Sequence, residues 1–173
     1  MDIDVIARRI RLPPRKVRYV LDHGLLPGTR GTLQADLRGR PRTFTPLEAF
    51  FVACAALLLE AGVKRGSVWQ LMDRIVAMPW PVGRPPVRLS PLQGATVRPR
   101  KAMEAMYYWA REATVLEVGD GVHLRLLSGS IDTGWVAPPT WTPLHPDYQP
   151  VISFRIDFTQ LYHRCCFAAT NPR

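Results

Sequence analysis

Apolar positions recur with a helical period in the first third of the chain. Val5, Ile6, Ala7 and Ile10 fall on one side of a segment from Asp4 to Ile10, with Arg8 and Arg9 opposite. Asp4 or Asp2 supplies a side-chain cap for that helix. Pro13 and Pro14 end it and pre-set the backbone for a second helix, Pro14 to His23. In the second helix Val17, Val20 and Leu21 share an inward face, and Gly24 is placed as its stop. A third helix opens on Thr45-Pro46-Leu47-Glu48, a Thr cap, a first-position Pro and a Glu three residues on. It runs to Leu59 or Glu60, stops at Gly62, and is apolar nearly all round, which predicts burial on more than one side. A fourth runs from Arg65 or Ser67 to Ala77, with Val68, Leu71, Met72 and Ile75 as its stripe.

The pattern then changes. Six prolines between Pro79 and Pro99 predict an irregular or extended connector. Arg100 to Arg111 has a helical stripe of Met103, Met106, Tyr107 and Ala110. Thr114–Val118 and Val122–Leu127 flank Gly119-Asp120-Gly121 and read as a hairpin, with Asp120 a turn residue rather than a catalytic carboxylate. Val151 to Ile156 alternates like a half-buried strand, and Asp157 or Thr159 caps a last helix, Gln160 to Ala168. The expected fold class is α+β. Residues 1–78 form a mostly helical module, 79–98 a proline-rich connector, and 99–173 a small α+β domain.

Composition narrows the function classes. With 173 residues and 47% hydrophobic content the chain is long and apolar enough for a core. No apolar run reaches the ~20 residues of a membrane span. The start, Met1-Asp2-Ile3-Asp4, lacks the order of a signal peptide, and three cysteines make no disulfide framework. The expectation is a cytoplasmic, nucleoid-associated protein with no membrane partner.

Charge is the more informative quantity. From Arg8 to Arg42 ten basic residues face only Asp22 and Asp36, so this segment holds nearly all of the chain's net +9. A general preference for Arg over Lys accounts for the residue type but not for the missing acids. A segregated basic segment points to a polyanion, of which nucleic acid is the commonest.

The motifs that carry this charge resemble a known family. Val5-Ile6-Ala7-Arg8-Arg9, Pro14-Arg15-Lys16-Val17-Arg18-Tyr19, Gly24-Leu25-Leu26-Pro27, Arg42-Thr43-Phe44-Thr45 and Leu59-Glu60-Ala61-Gly62-Val63 together resemble the MerR-like winged helix-turn-helix DNA-binding regulators. The likeness spans Asp4 to Asp73, under half the chain. Three features depart from the family pattern. Val20 stands where a second aromatic is usual, the segment Gly28 to Arg42 is longer than usual, and prolines follow where the family has a long dimerising helix. The resemblance implies an N-terminal winged helix-turn-helix whose second helix enters the major groove, and a homodimer on double-stranded DNA. On that basis Arg15, Lys16 and Arg18 are candidates for base or phosphate contact and Tyr19 for phosphate. Arg8 joins them as a DNA contact, and Arg38, Arg40 and Arg42 form a basic wing on the backbone or minor groove.

Other residues offer less. Cys165-Cys166 is a vicinal pair with only His163 nearby, short of the ligands a metal needs, so packing is the expected role. Tyr107, Tyr108, Trp109, Trp135 and Trp141 suit a small core better than a ligand pocket. No phosphate loop or nucleophile motif occurs. The expectations are therefore no enzyme activity, no cofactor and no metal. Two alternatives remain open: an antitoxin- or adaptor-like module whose C-terminal domain holds a protein partner, and an excisionase-like architectural DNA binder.

Overall fold

The computed structural model describes residues 1–26, 44, 46–77, 79–80, 87–88, 114–128, 131–138 and 140–167. It is an α+β protein, a helical layer packed beside an antiparallel sheet. The helices are α1 (Ile3–Ile10), α2 (Pro14–Asp22), α3 (Pro46–Glu60) and α4 (Arg65–Ala77). Asp2 caps α1, its carboxylate accepting from the Val5 amide at 2.8 Å.

The first three helices end alike. The amide of Leu12 reaches the carbonyl of Ala7, Leu25 that of Val20, and Val63 that of Leu58, each at 3.0–3.1 Å. Beside each such bond the preceding residue donates to a carbonyl three back, completing a Schellman motif. That preceding residue must be left-handed. Gly24 (φ 57°) and Gly62 (φ 87°) fill the role, as the sequence predicts, but at α1 it falls to Arg11 (φ 59°). In each motif the residue after the left-handed one is apolar and turns back onto the core: Leu25 and Val63 are buried and Leu12 is half-buried.

α3 is the centre of the molecule. Ala49 to Ala56 and Leu58 are without solvent exposure, because α1, α2, α4 and the C-terminal helix all pack around it. α4 adds Val68, Leu71, Met72 and Ile75, the predicted stripe. Val5, expected on the apolar face of α1, is only half-buried. Thr45, the expected cap of α3, lies outside the described residues.

Within the predicted connector, β1 (Pro79–Trp80) and β2 (Val87–Arg88) pair antiparallel, so this part is extended and hydrogen-bonded. The rest of the connector and the expected helix Arg100–Arg111 lie outside the described residues. The hairpin is present as β3 (Thr114–Gly119) and β4 (His123–Ser128), with Asp120 and Gly121 both at positive φ in the turn. β5 (Ile131–Asp132) and β6 (Val136–Ala137) share the outer edge of β4, and β7 (Thr142–Pro143) pairs with β6. β8 (Ser153–Asp157) closes the other side against β3. The predicted strand from Val151 starts two residues later than expected. Asp120 takes the amides of Val151 and Ile152 at 3.1 Å, which holds both outside the ladder and leaves them exposed.

Asp157 caps the last helix, α5 (Phe158–Tyr162), accepting from Gln160 at 2.8 Å; a π-helical turn, His163–Phe167, continues it. α5 and this turn join the sheet to the helical layer. Phe158 meets Phe50 of α3 edge-on at 5.2 Å. Arg9 of α1 donates to the Cys165 carbonyl at 2.8 Å, satisfying a helix-end acceptor from 156 residues away. Arg74 of α4 lies over the ring of Trp141. Buried side chains from both ends of the chain thus form one continuous cluster. Among the described residues no helix is long and apolar enough to cross a membrane.

Candidate nucleic-acid interface

α2 buries Val17, Val20 and Leu21 against α1 and α3, and that choice fixes what faces outward. Arg15, Arg18, Tyr19 and Asp22 follow at helical spacing on the opposite side and are exposed. The stripe is basic where the helix begins. Its first turn holds no acid, and Pro13 in the cap position offers no side-chain hydrogen bond. The start of α2 therefore joins the positive end of the helix dipole to Arg15 and Lys16, an arrangement that favours an anion.

A groove of about 450 Å³ runs beside this turn, lined by Arg15, Lys16, Tyr19, Leu59 and Arg65. Arg65, the first residue of α4, is a member that the sequence did not single out. The Gly62 turn brings it alongside α2, and only its position at a helix start was legible in the sequence.

The partners of these side chains differ. The Lys16 ammonium pairs with the Glu60 carboxylate at the end of α3. Arg18 has only a loose contact with Asp4, 3.9 Å away and open to solvent on both sides, which holds it weakly. The Tyr19 ring stacks on His23, centroids 3.8 Å apart, while His23 Nδ1 sits 3.0 Å from the Tyr19 carbonyl. A carbonyl only accepts, so in this contact Nδ1 carries a proton and donates it. The stack holds the phenol one turn beyond Arg15.

Arg8 is exposed on α1, whereas Arg9 is half-buried and bound to Cys165. Arg38, Arg40 and Arg42, the expected wing contacts, lie outside the described residues.

Two polar clusters occupy the sheet. Glu117, in the middle of β3, is buried although it is charged. Arg155 of β8 and Arg125 of β4 stand directly across from it on the two neighbouring strands. Arg155 Nε donates to Glu117 Oε1 at 2.6 Å, and Arg125 approaches Oε2 at 3.7 Å while forking onto Asp132. The Arg125 fork pulls the Asp132 carboxyl down to about 2. The result is a cross-strand ladder of alternating charge, with the buried carboxylate matched on both sides.

At the hairpin end the Tyr148 hydroxyl donates to Asp120 and accepts from His123 Nδ1 at 2.6 Å. The Tyr148 bond and the amides of Ile152 and Val151 hold the Asp120 carboxyl below its ordinary range. Burial and the carboxylate beside it push the Tyr148 hydroxyl up to about 12. This cluster pins residues 148–152 over the turn. Gly119 is obligatory there, since a Cβ would meet Pro150 at 2.8 Å and Trp135 at 2.9 Å.

The Cys165 thiol is buried in the core, where desolvation raises it to about 12. Among the described residues no three His, Cys, Asp or Glu side chains gather as a metal site requires.

Compared with known proteins, the chain matches no family model, no curated protein and no solved structure.

Proposed function

We propose that the protein is a sequence-specific DNA-binding transcriptional regulator of the MerR-like type, with α2 as the recognition helix. The observation that carries the reading is the groove formed by Arg15, Lys16, Tyr19 and Arg65 at the uncapped start of α2. Arg15, Arg65 and a phenol in one groove suit consecutive phosphates, with Lys16 beside them paired to Glu60.

In this reading Arg18, exposed and only loosely engaged, reads a base, with its guanidinium forked onto a guanine. Arg15 takes a base edge or the backbone, Lys16 stays with Glu60, and Tyr19, Arg8 and Arg65 take phosphates. Arg38, Arg40 and Arg42 follow the backbone or the adjacent minor groove. The protein acts as a homodimer on double-stranded DNA, and the sheet-bearing half serves assembly or a partner.

Anisotropy titration of a labelled mixed-sequence duplex over a salt series tests the reading. Affinity should fall steeply with salt, because neutralised phosphates release counterions. Arg15→Glu and Arg65→Glu should each weaken it further. No measurable binding at low salt, or binding by both variants equal to that of the unaltered protein, rejects the interface.

One observation favours a second reading, a protein-interaction module. Val151 is 93% exposed and Ile152 71% exposed, and Asp120 holds the backbone of both. A fixed, exposed apolar pair suits a protein partner better than DNA. A stoichiometric partner that survives high salt in co-purification would favour this reading.

A further inference from the structure

Where the helical layer meets the sheet, the surface opens into a cleft of about 360 Å³. Its floor is apolar, built from Ile10 of α1, Leu57 and Ala61 at the end of α3, Phe154 and Ile156 of β8, and Leu161 of α5. A concave apolar floor between two layers, with a few polar groups at its edge, is the usual form of a small-molecule site.

The charges around the rim are not equivalent. Glu60 is paired with Lys16. Arg155 is bound to the buried Glu117. Asp157 caps α5 through the Gln160 amide. Arg164 differs, being exposed with no ion pair or hydrogen bond among the described residues. Three of the four rim charges thus have partners inside the protein, and the unmatched one is a guanidinium. Such a rim favours a carboxylate, which a guanidinium binds through two parallel hydrogen bonds.

We propose that this cleft binds a small organic acid with an apolar body, the body resting on Leu57, Phe154 and Leu161 and the carboxylate held by Arg164. The inference stands apart from the DNA-binding reading, since none of its contacts uses the basic groove. The two sites share a boundary: Glu60 forms part of the cleft wall and is also the partner of Lys16.

Isothermal titration with naphthoate and with the uncharged naphthamide, which has the same ring body, tests the proposal on the full chain. Naphthoate should bind saturably, one molecule per chain, and about tenfold more tightly than the amide. Arg164→Gln should bring naphthoate down to the level of the amide. Ala61→Trp, which fills the floor from an exposed position, should abolish binding of both. Far-UV circular dichroism confirms that each variant is folded. No saturable binding by the unaltered protein overturns the proposal, as does equal affinity for acid and amide, or either variant binding as the unaltered protein does.

Discussion

The ammonium of Lys16 and the carboxylate of Glu60 form an ion pair that ties the first turn of α2 to the last turn of α3. In the proposed interface this pair holds one cation away from DNA. Glu60→Gln should release it. The salt dependence of binding to a mixed-sequence duplex should steepen by about one unit of log–log slope, the effect of one added phosphate contact. Stability should change by no more than about 1 kcal/mol, since both partners are partly exposed. An unchanged slope would mean that Lys16 faces no phosphate.

Arg11 occupies a position that the other two Schellman motifs give to glycine. A non-glycine residue in the left-handed region is strained by about 1 kcal/mol or more. Arg11→Gly should therefore stabilise the protein by about 0.5–1 kcal/mol, net of the greater freedom glycine has in the unfolded chain. Denaturant titration reads this directly, and a loss of stability would show that the Arg11 side chain makes an unrecognised contact.

Glu117 and Arg155 contribute unequally to their shared bond. Glu117→Gln leaves two guanidiniums facing a neutral group inside the sheet, and should cost about 1–3 kcal/mol. Arg155→Gln should cost under about 1 kcal/mol, because the Arg155 side chain is 73% exposed and Glu117 keeps Arg125. Equal losses in denaturant titrations of the two variants would contradict this asymmetry.

The helix stops and the hairpin were legible in the sequence because they are local. Gly24, Gly62, Asp157 and Gly119-Asp120-Gly121 act on backbone within a few residues of themselves. The joining of the two layers was not legible. The Arg9–Cys165 bond and the Phe50–Phe158 contact depend on how α5 folds back, and no pattern within a window reports that. Glu117 shows the same division. Alternation along β3 puts it on the face opposite Leu116 and Val118, and the hairpin register puts Arg125 beside it. Its burial also needs Arg155, which arrives from a strand after a long excursion of the chain. At the candidate interface, the cationic stripe of α2 followed from helical spacing. Arg65 did not, because its place beside Arg15 is set by the turn between α3 and α4.

Asp132 sets an acid limit. Its carboxyl lies at about 2 in the folded protein, below the ordinary value, through the Arg125 fork and the Gly134 amide. A depressed carboxyl stabilises the fold fully above its unfolded pKa of about 4, and that stabilisation is lost as pH falls through the folded value. Asp132→Asn should therefore melt below the unaltered protein at neutral pH, with the gap closing as pH falls from about 4 to about 2. Thermal melts across that range measure it, and a gap independent of pH would show that Asp132 acts through shape rather than charge.

Selection of bound sequences from random double-stranded DNA, run in parallel with the unaltered protein and with Arg18→Ala, tests the recognition-helix assignment most directly. The unaltered protein should enrich a defined motif, palindromic if two copies bind as a symmetric dimer. The variant should lose preference at one position of each half-site, at a cost of about 1–3 kcal/mol for the selected duplex. No enrichment by the unaltered protein, or an identical motif and affinity for Arg18→Ala, would contradict the placement of α2 in the major groove.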